Sequence, residues 1–136
     1  MIIDDEAKIL SAMARVLKVL PETDIELYVS PEKALKRAHT SVFDLFISDY
    51  QMPYINGIDL LSQIKLLQPE SVRIIVSGRS DKSVLVKAIN KAEIFRYIEK
   101  PWNNKSLLSD ISDALMYRNT LLEKTILSKQ IRQKSV

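Results

Sequence analysis

The residues of this chain best placed for chemistry are three carboxylates, a hydroxyl and an ammonium: Asp4 and Asp5, Asp49, Ser77 and Lys100. Each stands at or just past the end of a short apolar run. Three carboxylates brought together repel one another and raise one another's pKa unless a cation keeps them ionised. Oxygen donors without His or Cys select a hard divalent ion, Mg²⁺ or Mn²⁺, which suits phosphoryl chemistry. In such a cluster Asp49 is the natural nucleophile, since a carboxylate attacking phosphorus forms an aspartyl phosphate. Lys100 by charge and Ser77 by hydrogen bond would then neutralise the phosphoryl oxygens. Taken singly, each residue also has an ordinary role. Asp4 or Asp5 could cap a helix, Asp49 could serve an Asx-turn, Ser77 could cap a loop, and Lys100 could be a solvated charge.

The elements that must position these groups are legible in the apolar pattern. Leu45-Phe46-Ile47 lacks the alternation of a half-exposed strand and reads as a strand covered on both faces, ending at Asp49. Met1-Ile2-Ile3, Ile25 to Val29, Val72 to Val76 and Phe95 to Ile98 are the other strand candidates. Helical spacing separates them: Ile9, Met13, Val16, Leu17 and Leu20; then Ile58, Leu61, Ile64 and Leu67; then Val84, Val86 and Ile89. A further helix starts at Ser30 as cap with Pro31 in its first position. Strand and helix thus alternate, which implies a parallel sheet, and ligands of open parallel sheets gather at the carboxyl ends of strands.

Length and composition point to one globular domain: 136 residues, net charge +3, no cysteine. Without cysteine there is no disulfide framework and no thiolate metal site. The acidic start does not read as a secretion signal, and no apolar run reaches membrane-spanning length, so a cytoplasmic location is expected. Residues 1–103 hold 14 basic and 14 acidic side chains, and residues 104–136 hold 6 and 3, so the charge excess lies in the tail. Basic residues there can complement a helix dipole, and no direct nucleic-acid or membrane binding is expected. From about Asn104 to about Arg132 neither Gly nor Pro occurs, which predicts an unusually long helix. Leu108, Ile111, Leu115, Leu122 and Ile126 follow a three-four spacing broken by Asn119. The far half therefore reads either as a coiled-coil connector or as a terminal helix fraying in solvent.

These motifs together resemble the receiver domain of two-component response regulators over about residues 1–118. The resemblance rests on Asp4-Asp5-Glu6, on Asp49 with Met52, Pro53 and Gly57, on Ser77, and on Lys100-Pro101. It implies a flavodoxin-like (βα)5 three-layer α/β sandwich with strand order 2-1-3-4-5 and, here, an extended last helix. It implies a signalling switch rather than a stand-alone enzyme, with Asp49 as phosphoacceptor and a sensor histidine kinase or phosphotransfer protein as donor. Asp5 and Asp49 would bind Mg²⁺ directly, Asp4 mainly through water, and Gln51 through its main-chain carbonyl. Ser77 and Lys100 would hold the phosphoryl oxygens, and the Lys100-Pro101 bond would be cis. Tyr97 would swing inward as Ser77 moves, repacking the face built from helix four, strand five and helix five. Gly78 would let a backbone amide approach the phosphoryl group, while Gln51 and Arg79 would flank its entrance. Residues 119–136 would extend the last helix or link to an effector, and a homodimer through that helix or the Tyr97 face is a further expectation.

Two departures bear on this reading. Met1-Ile2-Ile3 is shorter than the first strand of most receivers, which suggests a clipped start and would leave Asp4 less firmly held. Trp102 follows Lys100-Pro101, as in receivers that precede HD-type phosphodiesterases, and is expected to pack at the start of the last helix. The lone His39 reads as a surface residue. One competing class is a haloacid-dehalogenase-like phosphatase, but Gln51 stands where its second aspartate belongs and no insertion is long enough for a cap. The other is a docking module that works without phosphorylation, whose usual mark is loss of an acidic residue or the lysine.

Overall fold

The computed structural model describes residues 1–134 of the chain. Five strands form one parallel sheet: β1 (Ile2–Ile3), β2 (Leu27–Tyr28), β3 (Leu45–Asp49), β4 (Val72–Gly78) and β5 (Arg96–Lys100), in the order β2-β1-β3-β4-β5. The helices are α1 (Ala7–Leu17), α2 (Pro31–Thr40), α3 (Gly57–Leu67), α4 (Lys82–Ala88) and α5 (Asn104–Lys134). The chain has the flavodoxin-like fold that the motifs implied.

Alternation along the strands divides the core into two layers, because successive side chains of a strand point to opposite faces. Ile2, Ile47, Ile74, Val76 and Ile98 pack with Leu10, Met13 and Leu17 of α1 and Leu107, Ile111 and Ala114 of α5. Their neighbours Ile3, Phe46 and Ile75 pack on the other face, against Ala34 and Ala38 of α2, Leu61 and Ile64 of α3 and Leu85 of α4. Both faces of the central strands are thereby dry, which is why those strands read as unbroken apolar runs.

Local chemistry sets the helix starts. The Ser30 hydroxyl accepts from the Lys33 amide, with Pro31 following as expected, and Asn56 and Asn103 do the same for α3 and α5. Three expectations need correction. The first helix stops at Leu17, and Leu20 packs on the core from the turn that follows. In α4 the spacing of Val84 and Val86 marked the wrong face: both are exposed, and Leu85 between them is the buried residue. The helix is too short for its period to discriminate faces, and Ile89 already belongs to the 3-10 turn Ile89–Ala92. Third, the two-residue β1 does not loosen Asp4, whose amide donates to the Tyr28 carbonyl at 3.1 Å and whose side chain is buried.

Candidate phosphoryl-transfer site

Strand register builds the site. Ile3 lies opposite Ser48, so the next residues, Asp4 and Asp49, come side by side at the carboxyl edge of the sheet. Asp49 pairs with Val76, which puts Ser77 one step beyond on β4, and Gly78 pairs with Lys100 on β5. The loop after β3 is held by Tyr50 N–H on the Val76 carbonyl at 2.9 Å and Gly57 N–H on the Tyr50 carbonyl at 2.8 Å. Gly57 is required there: a Cβ would run into the Asp49 carbonyl oxygen and sit 2.6 Å from Ile75 Cδ1. The same loop carries Tyr54 fully exposed at φ 73°, a left-handed conformation unusual for a bulky residue.

Lys100 reaches across the edge, its Nζ 3.0 Å from Asp49 Oδ1 and 3.1 Å from Asp4 Oδ2. The other Asp4 oxygen accepts from the Glu6 amide at 2.9 Å, so Asp4 acts as a fixed carboxylate and not as a side-chain cap of α1. Oxygens of Asp4, Asp5 and Asp49 all lie within 4.8 Å of one another, Asp5 being the exposed member. Burial pushes the Asp49 carboxyl up to about 6; the Lys100 ammonium opposes the rise and the Asp4 charge adds to it. For Lys100, burial lowers the pKa, but the bonds to Asp49 and Asp4 outweigh it and the net shift is upward. Three carboxylates and one ammonium leave the site short of positive charge, and a hard divalent ion fits this all-oxygen donor set.

The Lys100-Pro101 peptide is cis. Trp102 is half-buried and packs with the core between the sheet, α1 and α5. Gly78 has an ordinary φ of −73°, and a Cβ there would meet nothing within 4 Å, so nothing in the protein itself demands glycine at that position. His39 lies on the surface, its Nδ1 2.9 Å from the Leu35 carbonyl. Tyr97 is half-buried, its hydroxyl donating to the carbonyls of Gly78 at 3.2 Å and Ser77 at 3.4 Å. The hydroxyl thus already reaches the carboxyl end of β4, where the β4–α4 loop begins. The Ser77 hydroxyl donates not toward Asp49 but to Asp81 Oδ2 at 2.7 Å, and Asp81 Oδ1 accepts from Gln51 Nε2 at 2.9 Å. Asp81 was not singled out in the sequence. Its signal was a carboxylate four residues past the strand-end hydroxyl, just before a helical run, where an acidic residue reads as an ordinary cap.

Residues 1–112 match the profile of the response regulator receiver domain. This chain belongs to that family. The receiver is 29% identical over 119 residues to the hydrogenase transcriptional regulatory protein HoxA of Bradyrhizobium diazoefficiens, covering 87% of this chain and 24% of the relative. It is 31% identical over 114 residues to the response regulator protein TodT of Pseudomonas putida, covering 84% of this chain and 49% of that protein. The receiver therefore spans about a quarter to a half of these relatives' lengths. Among solved structures, the signal receiver domain of an HD domain-containing protein from Pseudomonas fluorescens Pf-5 superposes with a TM-score of 0.83 at 32% identity, covering 90% of this receiver and 89% of that chain. Among the described residues no helix is long and apolar enough to cross a membrane.

Proposed function

We propose that this receiver is a phosphorylatable switch in which Asp49 accepts a phosphoryl group from a phosphohistidine on a sensor kinase or phosphotransfer protein. The observation that carries the reading is the Lys100 ammonium bonded at once to Asp49 and Asp4 at the end of the sheet. An Asp49 oxygen attacks phosphorus, the bond from phosphorus to the donor breaks, and the leaving imidazole keeps the electron pair. Lys100 is within reach of Asp49 Oδ1 and can neutralise the oxygens that arrive there. Ser77, one residue past the partner of Asp49 on β4, supplies a hydroxyl to the same oxygens once it turns. Asp4, Asp5, Asp49 and the Gln51 main-chain carbonyl would hold Mg²⁺ or Mn²⁺, which when bound supplies the remaining charge neutralisation.

The output follows from the same residues. Drawing Ser77 toward a phosphoryl group changes the loop whose carbonyls hold Tyr97, and with it the face made by α4, β5 and α5. Residues 1–118 form the switch, and residues 119–136 carry its state to a partner or effector; residues 135 and 136 lie outside the described part. The names of HoxA and TodT support a regulatory output. The haloacid-dehalogenase reading finds no acid at position 51, where the Gln51 amide is instead bonded to Asp81.

Intact mass after incubation with acetyl phosphate and Mg²⁺ tests the proposal. A gain of one phosphoryl group that disappears with a chelator, and in Asp49→Asn, is expected. A folded chain that gains none would refute it and leave the phosphorylation-independent docking module.

A further inference from the structure

Asp81 stands at the start of α4, with φ −90° and ψ −9°, yet makes no side-chain bond to the amides of that helix. It ends the 3-10 turn Arg79–Asp81 that runs into α4, and its backbone is helical, not the extended backbone of a capping residue, so the carboxylate is not held by the helix. Here both carboxylate oxygens turn to the site. One takes the Ser77 hydroxyl at 2.7 Å, the other the Gln51 amide at 2.9 Å. The carboxylate so ties the β4–α4 loop to the β3–α3 loop beside Asp49.

A hydroxyl carries a single proton, and a carboxylate is a stronger acceptor for it than a neutral carbonyl. The alternative acceptor of Ser77 is weakly placed, the Gly78 carbonyl at 3.3 Å. While Asp81 holds the proton, Ser77 has none to offer a phosphoryl oxygen on Asp49. A phosphoryl group brings competing acceptor oxygens together with negative charge that repels the Asp81 carboxylate.

We propose that Asp81 is a positioning residue, a latch that holds the Ser77 hydroxyl away from Asp49 and biases the receiver toward its resting arrangement; this rests on Asp49 being the phosphoacceptor. A latch bonded only in the resting arrangement lowers affinity for the phosphorylated arrangement by the factor by which it favours rest. Gln51 is bonded to the other Asp81 oxygen, so release of Ser77 leaves Asp81 held to the β3–α3 loop by Gln51 alone.

The test uses the full chain with Mg²⁺ and beryllium fluoride, a mimic of the phosphoryl group, followed by amide resonances in NMR titrations. Asp81→Ala is expected to tighten apparent binding about five- to twentyfold, and Asp81→Asn, which keeps the shape but loses the charge, to tighten it less. In a Ser77→Ala background the Asp81 substitutions should change affinity by less than about twofold, a coupling that a purely helix-stabilising role would not produce. Thermal melts accompany each variant, and Asp81→Asn decides the matter if Asp81→Ala does not fold. Variants that bind with wild-type affinity, or that gain equally without the Ser77 hydroxyl, would overturn the latch alone. A wild-type chain that takes up neither beryllium fluoride nor a phosphoryl group would overturn the phosphoacceptor reading and the latch with it.

Discussion

Asp49 is a buried carboxylate beside a second one, and the Lys100 ammonium compensates the pair only in part. Its pKa rises from 3.8 to about 6 on folding, chiefly through burial. Between those values the folded chain binds more protons than the unfolded chain, so the contribution of Asp49 to stability is complete below about pH 4 and is lost as pH rises through about 6. Denaturant unfolding in chelator, compared with Asp49→Asn, should isolate this fall as a difference on the order of 3 kcal/mol across that window. Asp49→Asn should accordingly be the more stable protein at pH 7 without divalent ions. Millimolar Mg²⁺ should raise the wild-type midpoint and leave the variant's nearly unchanged. Asp4, Asp49, Ser77 and Lys100 were legible because each ends an apolar run, and strand ends are where parallel sheets converge. Asp81 escaped because one of its partners, Ser77, lies four residues back across a turn and the other, Gln51, on a separate loop thirty residues away, geometry that no periodicity encodes.

At the scale of elements, the β3–α3 connection shows how tightly local structure is tied to the site. Gly57 opens α3 directly beneath the Asp49 carbonyl, and the obstacles to a side chain there are backbone as well as the Ile75 terminus. Gly57→Ala should therefore destabilise the fold by about 2–3 kcal/mol and slow phosphorylation by displacing the Asp49 backbone, measured by thermal melting and by phosphoryl uptake. Gly78→Ala, with open space around it, should melt like the wild type. The buried strands announced themselves as unbroken Val, Ile, Leu and Phe, and the caps Ser30 and Pro31 marked α2. The face of α4 was not legible, because over seven residues the adjacent Val84, Leu85 and Val86 give no three-four spacing to prefer.

In the whole molecule, the end of the sheet opposite the site is closed by polar side chains buried with their partners. Gln68 donates to the Ala38 and Ser41 carbonyls and accepts from the Phe43 amide, while Arg73 donates to the carbonyls of Ala92 and Ser71. Arg118 joins α5 to this end through Asp44 and the Glu70 carbonyl, and Arg96 joins β5 to Asp110 and Asp113 of the same helix. Past Leu121, the last α5 residue packed on the core, the helix carries the exposed Ile126, Leu127 and Ile131. A chain ending at Leu121 should therefore keep its melting temperature within about 3 °C and its phosphoryl uptake unchanged, since the removed turns bury little. Those turns have a mechanical meaning. At 1.5 Å per residue they project about 20 Å beyond the last anchor, so a 10° tilt of the helix root would swing the tip by about 3–4 Å. A repacking of ångström size at β5 would then be read at the far end as a lever reads its fulcrum, enlarged in proportion to its arm.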